Sequence, residues 1–317
     1  MHASGTAAAT RSSDGHRVAL VLGAGGTLGW AYHLGVLDAV AEVLGHRPFQ
    51  VDRLIGTSAG AAIAASALSG ATSDEILSVI AAPPDAAELA TMRANLAELR
   101  RPMRWLRPTS RGMLRSRSLG IGALAGLLPP GVFPTASLRR FPVGRVEDTW
   151  PANLWIPAVR AEDGRRIVFG RDDTTASLLD SIEATAAVPL LFQPKSIDGH
   201  RYLDGALRSP TNADLLFRDG PYDLIIISSP MSRPGGGALR RRARTQVRRE
   251  ASALRRTGAQ VVVLEPSAHV GDLARGFPRR RPDLGPAVVA RARDEASATL
   301  RTRWPTTSLV CPAPPIR

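Results

Sequence analysis

The sequence holds one lysine, Lys195, and one cysteine, Cys311, in 317 residues. A lone cysteine excludes an intramolecular disulfide and suits a reducing compartment. It also leaves no spaced cysteines for a structural zinc site. With a lone lysine at position 195, the Gly-Lys-Ser/Thr ending of a phosphate-binding P-loop is missing. Aromatic residues make up 5% of the chain, too few to suggest a stacking platform for nucleic acid. Long apolar runs are absent as well: Val18 to Leu22, Leu224 to Ile227 and Val261 to Leu264 are far short of the roughly 20 residues that span a bilayer. The acidic residues show no calcium-loop spacing. No metal and no cofactor are therefore expected. Residues 1–16 are small and polar without an apolar signal core and read as a disordered leader. The expected location is cytoplasmic, with a peripheral position at a membrane as the alternative.

Arginine is what the chain has in excess. The formal charge is +13, and all but one of the 41 lysine and arginine residues are arginine. Together with abundant alanine, glycine and proline, this reads as a compositional bias, and nucleic acid is not expected as a partner. Two basic segments carry local meaning. In 92–119, arginines interleave with Leu96, Leu99, Trp105 and Leu106. That mixture fits an interfacial lid in peripheral contact with a membrane, or equally a surface helix pair packed on the core. Arg101-Pro102 and Arg107-Pro108 break any single long helix there. The second segment, Arg240 to Arg256, reads as a crossover helix with Ala243, Val247, Ala251 and Leu254 inward. A last helix over Pro286 to Arg303 is expected to dock on the fold, and 311–317 is tail.

Three glycine-bearing segments carry the chemistry. Gly56-Thr57-Ser58-Ala59-Gly60 lies between the apolar run Val51 to Ile55 and the helix-prone Ala61 to Leu68. A serine between glycines at a strand-to-helix turn is a nucleophile-elbow pattern, because the turn strains the serine and its neighbours must be minimal. Gly23-Ala24-Gly25-Gly26-Thr27-Leu28-Gly29 follows the strand Arg17 to Leu22 and precedes a helix expected over Trp30 to Leu44. Amides of such a loop are free to bind an anion: a pyrophosphate, a nucleotide phosphate or an oxyanion. A dinucleotide fingerprint is disfavoured, since Leu28 occupies its third glycine position. The third segment is Asp204-Gly205-Ala206, at the end of a strand through Tyr202 that follows a turn at Gly199-His200. Its aspartate fits either a base for a serine or a carboxylate capping a turn.

In order and spacing these segments resemble the patatin-like phospholipase family. Gly23 to Gly29 stands as its oxyanion loop, Gly56 to Gly60 as its GxSxG, and Asp204-Gly205-Ala206 as its aspartate motif. His33-Leu34-Gly35-Val36-Leu37, Ala186-Ala187-Val188-Pro189 and Asn212-Ala213-Asp214 extend the likeness, which covers about 17–230 with 70–142 unmatched. The resemblance implies a dyad with Ser58 as nucleophile and Asp204 as general base, and amides of Ala24, Gly25 and Gly26 as oxyanion donors. Gly56, Gly60, Gly205 and Ala206 are the motif positions beside them. It implies a lipid or small-ester substrate and an α/β hydrolase domain over 17–310, with an arginine-rich insertion at about 71–142. The chain departs from the family at Leu28, where an arginine or lysine is usual, and by one inserted residue after Gly29. This places phospholipid preference in more question than hydrolysis. A triad through His33 or His200 is the alternative to a dyad, and a binding or regulatory module of the same fold is the alternative to an enzyme.

Alternating patterns predict strands at Val18 to Leu22, Arg53 to Ile55, Leu154 to Val159, Arg166 to Phe169, Tyr202 to Leu203, Leu224 to Ser228 and Val261 to Leu264. A mainly parallel sheet covered by helices on both faces follows, with a hairpin around Glu162-Asp163-Gly164.

Overall fold

A computed structural model describes residues 16–45, 50–100, 108–144, 149–172, 175–235, 237–275 and 281–304. The expected leader up to residue 15, the tail at 311–317 with Cys311, and the centre of the basic segment at 101–107 with Trp105 lie outside the described residues.

In chain order the elements are β1 (Val18–Leu22), α1 (Gly26–Leu44), β2 (Arg53–Gly56), α2 (Ala59–Leu68), α3 (Ser73–Ala81), α4 (Ala86–Arg100), β3 (Leu154–Arg160) and β4 (Arg166–Phe169). Then come α5 (Leu178–Thr185), β5 (Lys195–Ile197), β6 (His200–Asp204), β7 (Leu224–Ser228), α6 (Ala238–Arg255), β8 (Gln260–Leu264), α7 (Ala268–Leu273) and α8 (Gly285–Arg303). The strands form one sheet in the order β5-β6-β3-β2-β1-β7-β8, with β4 also on β3. From β3 to β8 the neighbours are parallel, while β4, β5 and β6 add an antiparallel end. Mixed geometry at one end is the consequence of the two hairpins, β3–β4 and β5–β6. The latter turns on Asp198 and Gly199, both at positive φ, as a two-residue hairpin loop requires.

β1 is buried throughout because both faces of the sheet are covered. Its side chains alternate between two cores. Val18, Leu20 and Leu22 join α1, α2 and α8 on one face. Ala19 and Val21 join Val247, Ala251 and Leu254 of α6 on the other. The inner face expected for α6 is the one observed, with Glu250 as an added member. Helix α8 docks along α1 with Val288, Val289, Ala292, Ala296 and Leu300 buried. The crossing needs Gly35, where a Cβ would lie 2.4 Å from the Val289 carbonyl oxygen.

Helix α1 begins at Gly26, four residues before the expected Trp30, so the glycine loop supplies the helix's own first turn. In the basic segment, α4 ends at Arg100, ahead of the first Arg-Pro step. Beyond it Met113, Leu119 and Ala123 are buried against Val159, Ala161 and Leu203. That part of 92–119 is a layer of 3-10 turns packed on the sheet rather than the second helix of an expected pair. Among the described residues no helix is long and apolar enough to cross a membrane.

Candidate active site

Ser58 sits where β2 hands over to α2, with φ 54° and ψ −120°. A non-glycine residue at positive φ is strained by about 1–3 kcal/mol, and the neighbours explain why the chain tolerates it. A Cβ on Gly60 would lie 2.1 Å from the Leu22 carbonyl oxygen, and one on Gly56 would lie 2.6 Å from Ala61 Cα. Gly60 is therefore required by close packing of the elbow on β1, and Gly56 by the first turn of α2 folding back over it. The Thr57 N–H donates to Leu22 O at 2.9 Å, and the Ser58 N–H donates to Thr185 Oγ1 at 3.1 Å. Thr185 in turn donates to Pro157 O at 2.6 Å, tying the elbow to α5 and β3.

Asp204 ends β6 and is buried. Its Oδ1 accepts the Ala206 N–H at 2.7 Å. A Cβ on Gly205 would lie 2.2 Å from Pro157 O, so the turn after the aspartate also demands glycine. The Ser58 hydroxyl lies close enough to the carboxyl to lower its pKa. Burial dominates its acidity: the pKa rises from 3.8 to about 6, against the lowering effects of the Ala206 amide and the Ser58 hydroxyl. The structure thus brings Ser58 and Asp204 together across an interval of the sequence in which nothing local predicts contact.

The glycine loop lies beside them because β1 and β2 are adjacent parallel strands with Leu22 opposite Gly56. Gly26, at φ 56°, shares a cavity with Ser58 and Ala59. Gly25 needs to be glycine, since a Cβ there would lie 2.5 Å from Gly29 Cα and 2.8 Å from Pro230 Cβ. Ala24 corrects the expectation of three donors. Its N–H donates to Pro210 O at 2.7 Å and is not free for a ligand. Among the described residues the amides of Gly25 and Gly26 have no such acceptor, and neither has that of Ala59 at the start of α2. Ala59 was missing from the expected donor set, although its place directly after the serine is the signal that marks it.

His33 is fully buried with both ring nitrogens engaged, Nε2 with Gly23 O at 2.7 Å and Nδ1 with Ser228 Oγ at 2.8 Å. Burial pushes its pKa down to about 4, so the ring is neutral: Nε2–H donates to the carbonyl and Nδ1 accepts from the serine hydroxyl. It anchors the loop and has no nitrogen left for Ser58. His200 is exposed on the β5–β6 turn. Neither histidine completes a triad.

The serine opens on a cavity of about 750 Å³ lined by apolar groups, among them Ala62, Ile80, Phe133, Ile182, Val188 and Phe192. One cation, Arg140, reaches its lining, and it is paired with Glu88 at 3.2 Å. Trp30 also lines it, and its buried indole N–H has no acceptor among the described residues. Among the described residues no three or more histidine, cysteine or acidic side chains gather as a metal site.

The nucleophile elbow, the amide loop and the apolar cavity place the chain in the class of α/β acyl hydrolases. A model of the patatin-like phospholipase family matches residues 20–217, and the chain belongs to that family. Membership supports activity on the acyl esters of lipids. Among solved structures, VipD from Legionella pneumophila is similar over 93% of this chain and 70% of that one, with 14% identity and a TM-score of 0.47. The type III effector protein ExoU is similar over 92% of this chain and 56% of its own, with 21% identity and a TM-score of 0.42. No curated protein matches the chain.

Proposed function

We propose that the protein is a serine-dependent lipid acyl hydrolase working through a Ser58–Asp204 dyad. One observation carries the proposal: a strained serine that opens on an apolar cavity stands beside a buried carboxyl of raised pKa, close enough for its hydroxyl to lower that pKa in part. A serine hydroxyl is too weak an acid to attack an ester unaided, and a carboxylate with pKa about 6 is a better base than one at 3.8 while remaining ionised at neutral pH. As Asp204 takes the proton, Ser58 Oγ bonds to the ester carbon. The resulting oxyanion is received by the amides of Gly25, Gly26 and Ala59. Collapse breaks the ester C–O bond, and the departing alcohol takes the proton from Asp204. Water then attacks the acyl-serine with Asp204 again as base, releasing the fatty acid and restoring Ser58.

The apolar lining suits an acyl chain. With Leu28 in the loop and Arg140 already paired, the cavity offers no free cation to a phosphate among the described residues, which favours uncharged or weakly recognised head groups. Labelling with a fluorophosphonate followed by peptide mapping tests the assignment. Modification is expected on Ser58 alone and strongly reduced in Asp204→Asn protein. Labelling elsewhere, or labelling of the Asp204→Asn protein equal to wild type, refutes the dyad and favours a binding module of the same fold.

A further inference from the structure

The arginine excess is organised at one place away from the acyl cavity. The 3-10 segment Arg117–Leu127 runs beside α6, and between them lies a second cavity of about 390 Å³. Four arginines line it: Arg117 from the 3-10 segment, Arg208 from the turn after Asp204, and Arg242 and Arg249 from α6. Arg242 and Arg249 are seven residues apart, two helical turns, and so project from the same face. Thr245 and Gln246 fill the face between them.

Some arginines elsewhere on the molecule meet carboxylates, as Arg53 meets Asp219, Arg166 meets Asp214 and Arg201 meets Glu162. Among the described residues none of the four cavity arginines has an acidic partner, and Arg242 donates to Leu119 O at 3.4 Å. Glu250, the acid nearest in sequence to Gln246, is turned inward. Its buried carboxylate accepts from Ser209, Thr211 and Gln246. Like charges gathered around one concave opening repel one another, and a bound anion relieves that repulsion. Guanidinium forks match phosphate oxygens in pairs. The volume falls within the roughly 300–1,000 Å³ of small-molecule sites and exceeds what a lone phosphate would fill.

We propose that this cavity binds a phosphate ester carrying several negative charges, at a site sharing no lining residue with the acyl cavity. The same chemistry is offered by a soluble polyphosphorylated metabolite and by a phosphorylated lipid head group. The site borders the catalytic turn, since Arg208 lies on it and Gln246 is tied through Glu250 to Ser209 and Thr211.

Calorimetric titration of the full chain with inositol hexakisphosphate, and flotation with phosphatidylcholine vesicles with and without phosphatidylinositol monophosphate, tests this near physiological ionic strength. Saturable binding is expected, weakened at least about tenfold in the Arg208→Gln/Arg249→Gln protein. The Arg291→Gln/Arg293→Gln protein, which removes the same charge from α8, is expected to bind within about twofold of wild type. Pocket-dependent binding of the free phosphate ester assigns a soluble ligand, and pocket-dependent binding to the phosphoinositide vesicles alone assigns a head group; both support the proposal. Binding of neither probe, or an equal loss in the α8 variant, overturns it.

Discussion

Replacing Asp204 with asparagine separates what burial does for chemistry from what it does to stability. Burial raises this carboxyl from 3.8 to about 6. Between those values the folded protein holds a proton that the unfolded chain has lost, so the group's contribution to stability falls as pH rises through that window. At 1.36 kcal/mol per pKa unit, about two units make the ionised carboxylate about 3 kcal/mol less favourable to the fold at pH 8 than a neutral side chain. Asparagine is uncharged and keeps an oxygen to accept the Ala206 N–H. The Asp204→Asn protein is therefore expected to be more stable than wild type by about 1–3 kcal/mol at pH 8, with the gain shrinking to near zero at about pH 4, while esterase activity is lost. His33 acts in the opposite sense. Its folded value lies near 4 against 6.5 unperturbed, so its contribution is intact above 6.5 and declines as pH falls toward 4. In wild type the two slopes oppose each other between about pH 4 and 6, and removing Asp204 exposes the histidine slope alone. Urea unfolding of both proteins across pH 4 to 8 reads all of this. Equal or lower stability of the variant at pH 8, or a gain that does not change with pH, refutes the reasoning.

Further outcomes follow from the same geometry. Ser58→Gly and Ser58→Ala both remove the hydroxyl, but only glycine relieves the backbone at φ 54°, so the glycine variant is expected to be more stable by about 1 kcal/mol in denaturant unfolding. Gly60→Ala drives a Cβ to 2.1 Å from the Leu22 carbonyl oxygen and is expected to destabilise by about 3 kcal/mol or more, whereas Gly237→Ala, with nothing within 4 Å, stays within about 1 kcal/mol. Trp30→Phe removes a buried indole N–H that has no acceptor among the described residues, so the lost packing is offset by relief of an unpaired donor and urea unfolding is expected within about 1 kcal/mol of wild type.

Much of the fold was legible because it rests on short-range pattern. β1, β4 and β7 begin and end where the apolar runs do, and the inner face of α6 follows from its spacing. Glu250 was overlooked inside an arginine-rich run, although it lies three residues after Val247 and four before Leu254 and so belongs to the buried stripe. Apolar spacing marks helix α1 only from Trp30, yet the glycines before it, which add no apolar residue to the pattern, carry the first turn. The site was legible as three motifs but not in its bonding. Ala24 loses its place among the donors to Pro210, far along the chain, and the bond from Thr185 to the Ser58 amide has no sequence signal at all. Contacts of that kind depend on how loops meet across the sheet, which periodicity does not encode.

The loop that faces the serine is held from both sides of the sheet by groups that do no chemistry themselves. On one side the neutral His33 donates its Nε2–H to Gly23 O, from within α1. On the other, Ala24 is fixed by Pro210 O, and Pro210 lies between Ser209 and Thr211, whose hydroxyls both donate to the buried Glu250 of α6. Asn212, at φ 53°, extends the second anchor by donating to Thr57 Oγ1 at 3.2 Å and Gly205 O at 3.3 Å, reaching the elbow and the aspartate turn together. Oxyanion donors act by being in place before charge develops, so their rigidity is part of their strength. A glycine-rich segment is by itself the most conformationally free stretch a chain can have. The buried histidine and glutamate resolve that conflict: they let the loop dispense with side chains, as close approach to the serine requires, without leaving its amides free to wander.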